Sequence, residues 1–372
     1  MTAAKRDDSR VFLPKVALDA LIRAILDRGY ELIGPTVADG AIIYDHITSV
    51  EDLPQGWTDL QQPGHYELVK RDDDRWFSYA VGPHSWKRHL FPPWITMFTA
   101  ERGENGWAYH DATKEPPRYA FLGVRACELA AIAVQDRTLR DGDYADANYV
   151  ARRERALLIA VHCAEPAATC FCTSMKTGPS CTSGFDLALT ELDDGFVVDI
   201  GTPRGGELLS AVESRPVTKP QRRQATETHK QAVDKIERRL PTEGLRELLM
   251  ANLEHPQWEA VAERCLSCAN CTMVCPTCFC VSFDEVSDLR GERVERRRKW
   301  DSCFDTEFSY MNGGIVRDQI RWRYRQWLTH KLSTWHDQFG VSGCVGCGRC
   351  ITWCPVGIDL TAEVAAIREQ AP

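Results

Sequence analysis

Two short stretches of the chain repeat one cysteine pattern, and this repeat constrains the fold more than any other feature of the sequence. Residues 265–276 read CLSCANCTMVCP and residues 344–355 read CVGCGRCITWCP, so each has the spacing C-x2-C-x2-C-x3-C-P. Zinc sites use separated pairs of cysteines, whereas here three cysteines follow one another at steps of three residues. The chain has 16 cysteines in 372 residues, too few for a scaffold held together by disulfides. The repeat therefore favours clustered metal ligands.

The spacing predicts two iron–sulfur clusters held in a crossed arrangement. Bacterial two-cluster ferredoxins hold two [4Fe–4S] clusters with this run, and the fourth cysteine of each run ligates the other cluster. Three cysteines at steps of three residues let one loop cover one face of a cubane, and the proline that follows fixes φ where the run ends. The predicted ligand sets are site 1, comprising Cys265, Cys268, Cys271 and Cys354, and site 2, comprising Cys344, Cys347, Cys350 and Cys275.

A third group of cysteines lies in the N-terminal half of the chain. Cys127 follows a predicted buried strand at residues 119–125, and Cys163 follows a second one at residues 156–161. Sites in open α/β sheets form at the carboxyl ends of strands, and a helix that begins at Cys127 would favour an anionic cluster. A zinc ion or simple packing of buried thiols are the alternatives. We expect a third [4Fe–4S] cluster at site 3, comprising Cys127, Cys163, Cys170 and Cys172.

Four cysteines remain outside these sets, namely Cys181, Cys278, Cys280 and Cys303. Cys181 follows Gly178-Pro179 in an expected loop, where it could replace Cys127 as a ligand, although an unligated thiol is the expectation. Cys278 and Cys280 overlap the first run in the stretch CPTCFC. For these two and Cys303 we expect packing beside a cluster, with ligation of a metal, exchange with a formal ligand or reaction with sulfur species as alternatives.

Hydrophobic periodicity predicts a mixed fold, α/β in the N-terminal part and α+β elsewhere. An amphipathic helix is expected over residues 16–28, and the buried strands at 119–125 and 156–161 flank a helix that runs to about residue 139, as in a βαβ unit. A short helix over residues 255–264 should lead into the first cysteine run, and the last helix should cover residues 360–368. Further strands are expected at residues 41–44, 66–69 and 76–81, and a hairpin at residues 187–190 and 196–200.

Three regions follow from composition and cysteine placement. Residues 1–202 are expected to form an α/β domain that carries site 3, with its cysteine-free residues 1–126 serving as scaffold or docking surface. Residues 203–264 contain prolines between charged helical patterns and should form a helical connector. Residues 265–372 should form a ferredoxin-like dicluster domain, from which a large helical insert, residues 277–343, forms a separate lobe.

Composition and missing motifs exclude several classes of function. The chain is 44% hydrophobic and 26% charged, as in soluble globular proteins, and no apolar stretch is long enough for a membrane span. The N-terminus lacks the apolar segment of a secretory signal, so a cytoplasmic protein is expected. The formal charge of −8 argues against nucleic-acid binding. No G-x-G-x-x-G follows a strand and no G-x4-G-K-[ST] occurs, so the chain offers no sequence case for its own NAD, FAD or ATP site.

One segment departs from the acidic average of the chain. Residues 290–331 contain 11 basic and 6 acidic residues, and the sharpest basic run is Arg296–Lys299. We expect a solvated face or a surface that docks an acidic partner, in preference to a nucleic-acid patch.

Several segments together resemble one family. On them the chain resembles the β subunits of cytosolic NAD(P)-linked [NiFe] hydrogenases, the sulfhydrogenases, and it is also similar to the iron–sulfur subunit of anaerobic sulfite reductase. The resemblance extends over about residues 118–359 and is less distinct over residues 1–117. The segments are GVRACE (123–128), NYVARR (148–153), HCAEPAATCFC (162–172), GFDLALT (184–190), MVCPTCFC (273–280), WDSC (300–303) and CVGCGRCITWCPVGID (344–359).

This resemblance implies a non-catalytic subunit that relays electrons. Its partners would be a reductase subunit that binds FAD and NAD(P)H and the small and large subunits of a [NiFe] hydrogenase, or the catalytic subunit of a sulfite reductase. FAD and NAD(P) would then lie on a partner and not on this chain. The alternatives from other classes are a self-sufficient iron–sulfur oxidoreductase, with a flavin or substrate pocket in residues 1–120, and a nucleic-acid protein with structural clusters.

Overall fold

An eight-stranded sheet, the main sheet, organises the N-terminal half of the molecule. A computed structural model describes residues 10–112 and 115–370; the stretch in which no secretory signal is expected, residues 1–9, lies outside them. The four strands at the centre of the sheet run parallel, and those at its two edges pair antiparallel. In spatial order the strands are Arg215–Pro216, Arg10–Pro14, Gly195–Ile200, Leu187–Glu191, Leu157–Val161, Tyr119–Val124, Glu31–Ala38 and Ala41–His46.

Helices cover both faces of the main sheet. The two predicted buried strands are confirmed as Tyr119–Val124 and Leu157–Val161, and their apolar side chains point alternately into two cores. Such burial on both faces explains why the strands read as continuous apolar runs. Between them lies helix Ala126–Leu139, which begins directly after the first strand and therefore has Cys127 in its first turn. The N-terminal helix Leu18–Leu26 covers the other face, preceded by a 3-10 turn, and Ala147–Arg155 precedes the second strand.

The expected strand at residues 76–81 is wrong, and buried side chains explain the segment's irregular path. The carboxylate of Glu191 accepts hydrogen bonds from the backbone N–H groups of Trp76 (2.7 Å) and Phe77 (2.9 Å). Asp59 accepts one from Ala80 N–H at 2.7 Å. These carboxylates satisfy backbone groups that would otherwise need a neighbouring strand, so the segment is buried without joining a sheet.

The helical insert predicted for residues 277–343 is wrong over its first half. Strands Val281–Ser287 and Arg293–Trp300 pair with strand Trp94–Gly103, which in turn pairs with Gly106–Asp111. We call this four-stranded unit the wing sheet. Apolar residues alternate with polar ones in VSFDEVS, and a sheet with two largely exposed faces accommodates the charged side chains of RVERRRKW. Because the wing sheet includes residues from before the main-sheet strands, the insert is not a separate lobe.

Helices dominate the rest of the described chain. The second half of the insert forms helix Ile320–Thr329, one π-helical turn at His330–Thr334, and helix Trp335–Phe339. Among the described residues, no helix is long and apolar enough to cross a membrane. Two small hairpins are Trp57–Gln62 with His65–Lys70 and Tyr310–Met311 with Gly314–Ile315. The other helices are Lys87–Leu90, Cys172–Met175, Pro203–Leu209, Lys219–Asp234, Leu245–Ala251, Gln257–Ala262, Asn270–Met273, Arg349–Thr352 and Leu360–Gln370.

The hairpin at residues 57–70 joins the N-terminal region to the second cysteine run. Gly64 N–H donates to the carbonyl of Ile351 at 3.1 Å, and the ring of Tyr66 stacks on Trp353 with centroids 5.0 Å apart. Gly64 has φ +72°, and a Cβ there would lie 3.0 Å from the carbonyl oxygen of Cys354. Only glycine combines this backbone conformation with so close an approach, so the turn is shaped to fit against the run.

Candidate metal centres

Site 1 forms a cavity with apolar walls. Its four predicted ligands line one space of about 470 Å³, measured with its mouth, together with Phe304, Tyr324, Trp327 and other apolar side chains. Cys350, predicted for site 2, also reaches this cavity. Burial raises the pKa of Cys271, and the neighbouring thiols of Cys265 and Cys354 raise it further. The structure therefore brings Cys354, from the second run, to the three leading cysteines of the first run.

Site 2 gathers the other four predicted cysteines. Burial raises the pKa of Cys350, and the thiols of Cys344, Cys347 and Cys275 raise it further in that order. Cys275 likewise raises the pKa values of Cys344 and Cys347. The fourth cysteine of each run thus lies with the three leading cysteines of the other, which is the crossed grouping that the spacing predicts.

The two cysteine loops have the same backbone shape. Ser267 (φ 53°) and Ala269 (φ 64°) in the first run adopt the left-handed conformation, as do Gly346 (φ 66°) and Gly348 (φ 77°) at the matching positions of the second. A left-handed residue other than glycine costs about 1–2 kcal/mol. The turn directs backbone N–H groups at sulfur: Ser267 N–H donates to Cys265 Sγ and Gly346 N–H donates to Cys344 Sγ, each at 3.4 Å. This retained strain therefore serves thiolate ligands.

Site 3 is a second enclosed space, of about 340 Å³, lined by its four predicted cysteines. Cys127 and Cys172 lie in the first turns of helices, and Cys163 follows the carboxyl end of a main-sheet strand. Cys347 of site 2 also lines this cavity. Cys181 is not in the lining; it is buried nearby, and its N–H donates to His162 Nδ1 at 3.1 Å.

The chemistry of the site 3 wall fits an anionic group. The guanidinium of Arg125 lines the cavity and is buried, and it donates to the carbonyls of Phe77 (2.7 Å), Tyr79 (3.0 Å) and His162 (3.2 Å). Among the described atoms its Nε–H has no hydrogen-bond partner. Burial raises the pKa of Cys163, whereas the charge of Arg125 opposes that rise. A buried cation beside four thiols suits an iron–sulfur cluster with thiolate ligands, which carries negative charge.

A single metal ion does not fit these thiol groups. Within the described residues, no three side chains of His, Cys, Asp or Glu converge closely enough to hold one ion. The thiols at sites 1 and 3 instead surround open spaces, as a cubane of four irons and four sulfides requires.

Sites 2 and 3 are pressed together by two glycines. A Cβ at Gly346 would lie 2.7 Å from the backbone of Phe171 and Cys172, and one at Gly348 would lie 2.7 Å from the carbonyl oxygen of Thr169. Phe171 N–H donates to the Gly346 carbonyl at 2.8 Å. The loop of site 2 therefore packs directly on the segment that carries Cys170 and Cys172.

A buried ion pair holds the second run against the main-sheet region. Arg349 is 0% exposed and bonds Glu128, which is 1% exposed, and it also donates to the carbonyls of Gly82 (2.8 Å) and His84 (2.9 Å). Sequence reasoning missed this pair. The only available signal is that Glu128 and Arg125 both lie in the segment GVRACE.

Two lysines that sequence reasoning also missed lie beside site 2. Lys331 Nζ donates to Cys275 Sγ at 3.3 Å, and Lys87 Nζ donates to the Cys278 carbonyl at 3.3 Å. Burial alone would lower the pKa of Lys331, but the nearby sulfurs of Cys275, Cys278 and Cys344 together outweigh it and raise that pKa. Nothing in the local sequence around either lysine indicates burial, because their burial depends on contacts between distant segments.

Cys278, Cys280 and Cys303 lie next to site 2 and form two close thiol contacts. The Cys278 thiol contacts Cys275, and its sulfur accepts from Lys331 Nζ at 3.5 Å. A hydrogen bond from the Cys303 thiol lowers the pKa of Cys280 to about 7, and the Cys303 N–H and the ammonium of Lys331 lower it further. Cys280 is thus the best thiolate among the cysteines outside sites 1 to 3.

These cysteines should differ in reactivity. Iodoacetamide modifies thiolates, so the alkylation rate of Cys280 should rise with pH and reach half its maximum near pH 7. Burial raises the pKa of Cys181, which should stay unmodified over the same times. Peptide mass spectrometry of the iron-loaded chain after short exposures measures both rates. Equal rates at the two cysteines, or a Cys280 rate that rises only above about pH 8.5, would contradict this difference.

Comparisons with known proteins agree with the cysteine chemistry. Residues 264–358 match the family model of the 4Fe-4S dicluster domain. Sulfhydrogenase 2 subunit beta of Pyrococcus furiosus is 31% identical over 313 residues, which cover 82% of this chain and 89% of that protein. No solved structure matches. The family model covers the two cysteine runs, and the similarity to the Pyrococcus protein extends over most of the chain.

Proposed function

The chain belongs to the family of sulfhydrogenase β subunits, and from this premise we propose that its three cysteine sites form one electron relay. It is an iron–sulfur electron-transfer subunit with a C-terminal 4Fe-4S dicluster domain. When bound, each [4Fe–4S] cluster supplies a centre that takes up and releases one electron at a time. The chain's own residues hold these centres, set their order and exclude water from them.

The contacts of the second cysteine run carry this proposal. Cys350 lines the cavity of site 1, Cys344 belongs to site 2, and Cys347 lines the cavity of site 3. One loop of seven residues thus touches all three sites, which supports the linear order site 1, site 2, site 3. Cys268, exposed to solvent, brings site 1 to the surface at one end of that order.

The ligand sets in this proposal are those of the three sites. Cys265, Cys268, Cys271 and Cys354 hold the first cluster, Cys344, Cys347, Cys350 and Cys275 the second, and Cys127, Cys163, Cys170 and Cys172 the third. In this scheme residues 1–202 carry site 3, residues 265–372 carry sites 1 and 2, and the helices of residues 203–264 connect them.

The partners follow from the family. We infer a cytoplasmic complex in which an FAD-containing NAD(P)H reductase subunit exchanges electrons with one end of the relay. The small and large subunits of a [NiFe] hydrogenase would occupy the other end; an anaerobic sulfite reductase is the second context. The iron-loaded chain alone should not reduce a viologen dye with NADPH, and adding the flavin subunit should start that reaction. Turnover by the isolated chain would overturn the relay in favour of a self-sufficient oxidoreductase.

Replacing one ligand of site 3 should remove one cluster. After anaerobic loading, the unaltered chain should contain about 12 iron atoms, and Cys163→Ser should contain about 8. Cys181→Ser is the matched control, because Cys181 is a buried thiol close to Cys163 but outside the cavity lining. Iron and acid-labile sulfide assays measure the difference. An unchanged iron content in Cys163→Ser, or an equal loss in Cys181→Ser, would contradict the assignment of site 3.

A further inference from the structure

Two lysine side chains are buried beside the cysteines of site 2. Lys331 is 3% exposed and Lys87 is 4% exposed. They come from distant elements, the π-helical turn His330–Thr334 and helix Lys87–Leu90. A buried ammonium is costly unless negative charge lies nearby. In the part of the chain that the structure describes, no carboxylate forms an ion pair with either lysine, so sulfur must supply that charge.

The two ammonium groups differ in what they contact. Lys331 Nζ donates to Cys275 Sγ (3.3 Å) and Cys278 Sγ (3.5 Å), and also to Thr277 Oγ1 and the Gly343 carbonyl, both at 3.2 Å. Lys87 Nζ donates only to carbonyl groups, at 3.3 and 3.5 Å, and lies 3.9 Å from the centroid of the Trp300 ring. Lys331 therefore places its charge directly on the sulfur of a proposed ligand, whereas Lys87 lies one step away.

Site 1 has no counterpart of Lys331. Among the described residues, its cavity is lined by cysteines and by apolar and aromatic side chains, with no lysine, arginine or histidine. The hydrogen bond that a ligand sulfur of this site accepts, at Cys265 Sγ, comes from a neutral group, the N–H of Ser267. The two halves of the dicluster domain share a loop geometry but differ in local charge.

We propose that Lys331 makes site 2 the electron-holding centre of the relay, reduced before site 1. A reduced cluster carries one more negative charge, so a buried cation and N–H···S hydrogen bonds stabilise it. The proposal rests on the proposed function, because it requires a cluster on Cys275 and the second run. An electron that enters at either end would then settle at the middle centre before it leaves.

Potentiometric titration followed by electron paramagnetic resonance tests the role of Lys331. In the anaerobically loaded full chain, Lys331→Met should lower the midpoint of the site 2 signal while leaving that of site 1 in place. At a fixed potential the ratio of reduced to oxidised site 2 should fall at least tenfold, which corresponds to about 59 mV for a one-electron couple. Lys331→Arg, which keeps the charge, should restore most of that ratio. Lys87→Met, which removes an equally buried ammonium without a bond to sulfur, should change it less.

Two results would overturn the proposal. One is an unchanged site 2 midpoint in Lys331→Met, or in Lys331→Gln if the methionine variant does not fold, with full iron content. The other is a shift in Lys87→Met as large as that in Lys331→Met. Failure of the proposed function is distinguishable, because the unaltered chain would then show no signal that disappears in Cys344→Ser.

Discussion

Replacing Glu128 by glutamine should lower the free energy of unfolding by about 3–5 kcal/mol, because it leaves the guanidinium of Arg349 buried without its ion-pair partner. Both side chains are fully buried, and the same carboxylate accepts hydrogen bonds from Tyr44 Oη (2.9 Å), Trp86 Nε1 (3.0 Å) and Arg125 N–H (3.1 Å). Denaturant unfolding of the iron-loaded chain under anaerobic conditions measures the loss.

A matched control separates the ion pair from the hydrogen-bond network around it. Tyr44→Phe removes one bond to the same carboxylate and should cost about 1.5–3 kcal/mol, the value for a bond to a charged group. If Glu128→Gln destabilises no more than Tyr44→Phe, Arg349 and Glu128 do not join the second cysteine run to the main-sheet region. If it does, sites 2 and 3 depend on that ion pair for their contact.

The crossed arrangement gives the second large effect. Cys354→Ser should abolish the site 1 signal and spare site 2, although Cys354 lies in the run that supplies three ligands of site 2. Cys275→Ser should do the reverse. Each variant should lose about 4 of about 12 iron atoms per chain. Iron analysis and paramagnetic resonance of the reduced proteins measure both changes.

Lys331 provides the label that tells the two remaining signals apart. In Cys354→Ser, the surviving dicluster signal should still shift when Lys331→Met is added, because Lys331 contacts Cys275 and not Cys354. In Cys275→Ser, the surviving signal should not respond. The opposite pattern would show that each run ligates its own cluster with all four of its cysteines.

The local part of the site could be predicted from the sequence because loop geometry follows from spacing. Cysteines at steps of three residues require the turns seen at Ser267 and Ala269 and at Gly346 and Gly348. The placement of Cys127 and Cys163 near each other also follows, because both come after parallel neighbouring strands. In these cases the controlling interactions lie within one turn or one βαβ unit.

The rest depends on contacts between distant segments, which a single sequence does not reveal. Strand Arg293–Trp300 pairs with Trp94–Gly103, almost two hundred residues earlier in the chain, so its polar residues alone do not predict a strand. The two lysines beside site 2 meet only because helix Lys87–Leu90 and the π-helical turn pack on the same loop. The irregular segment before the helix is held by Glu191 and Asp59, which no local pattern would select.

Controlled-potential coulometry on the anaerobically iron-loaded chain tests the central claim most directly, because it counts the electrons that the chain can hold. A relay with centres at sites 1, 2 and 3 predicts an uptake of about three electrons per chain, one for each cluster. An uptake of two electrons or fewer from a chain with full iron content would contradict a relay of three centres.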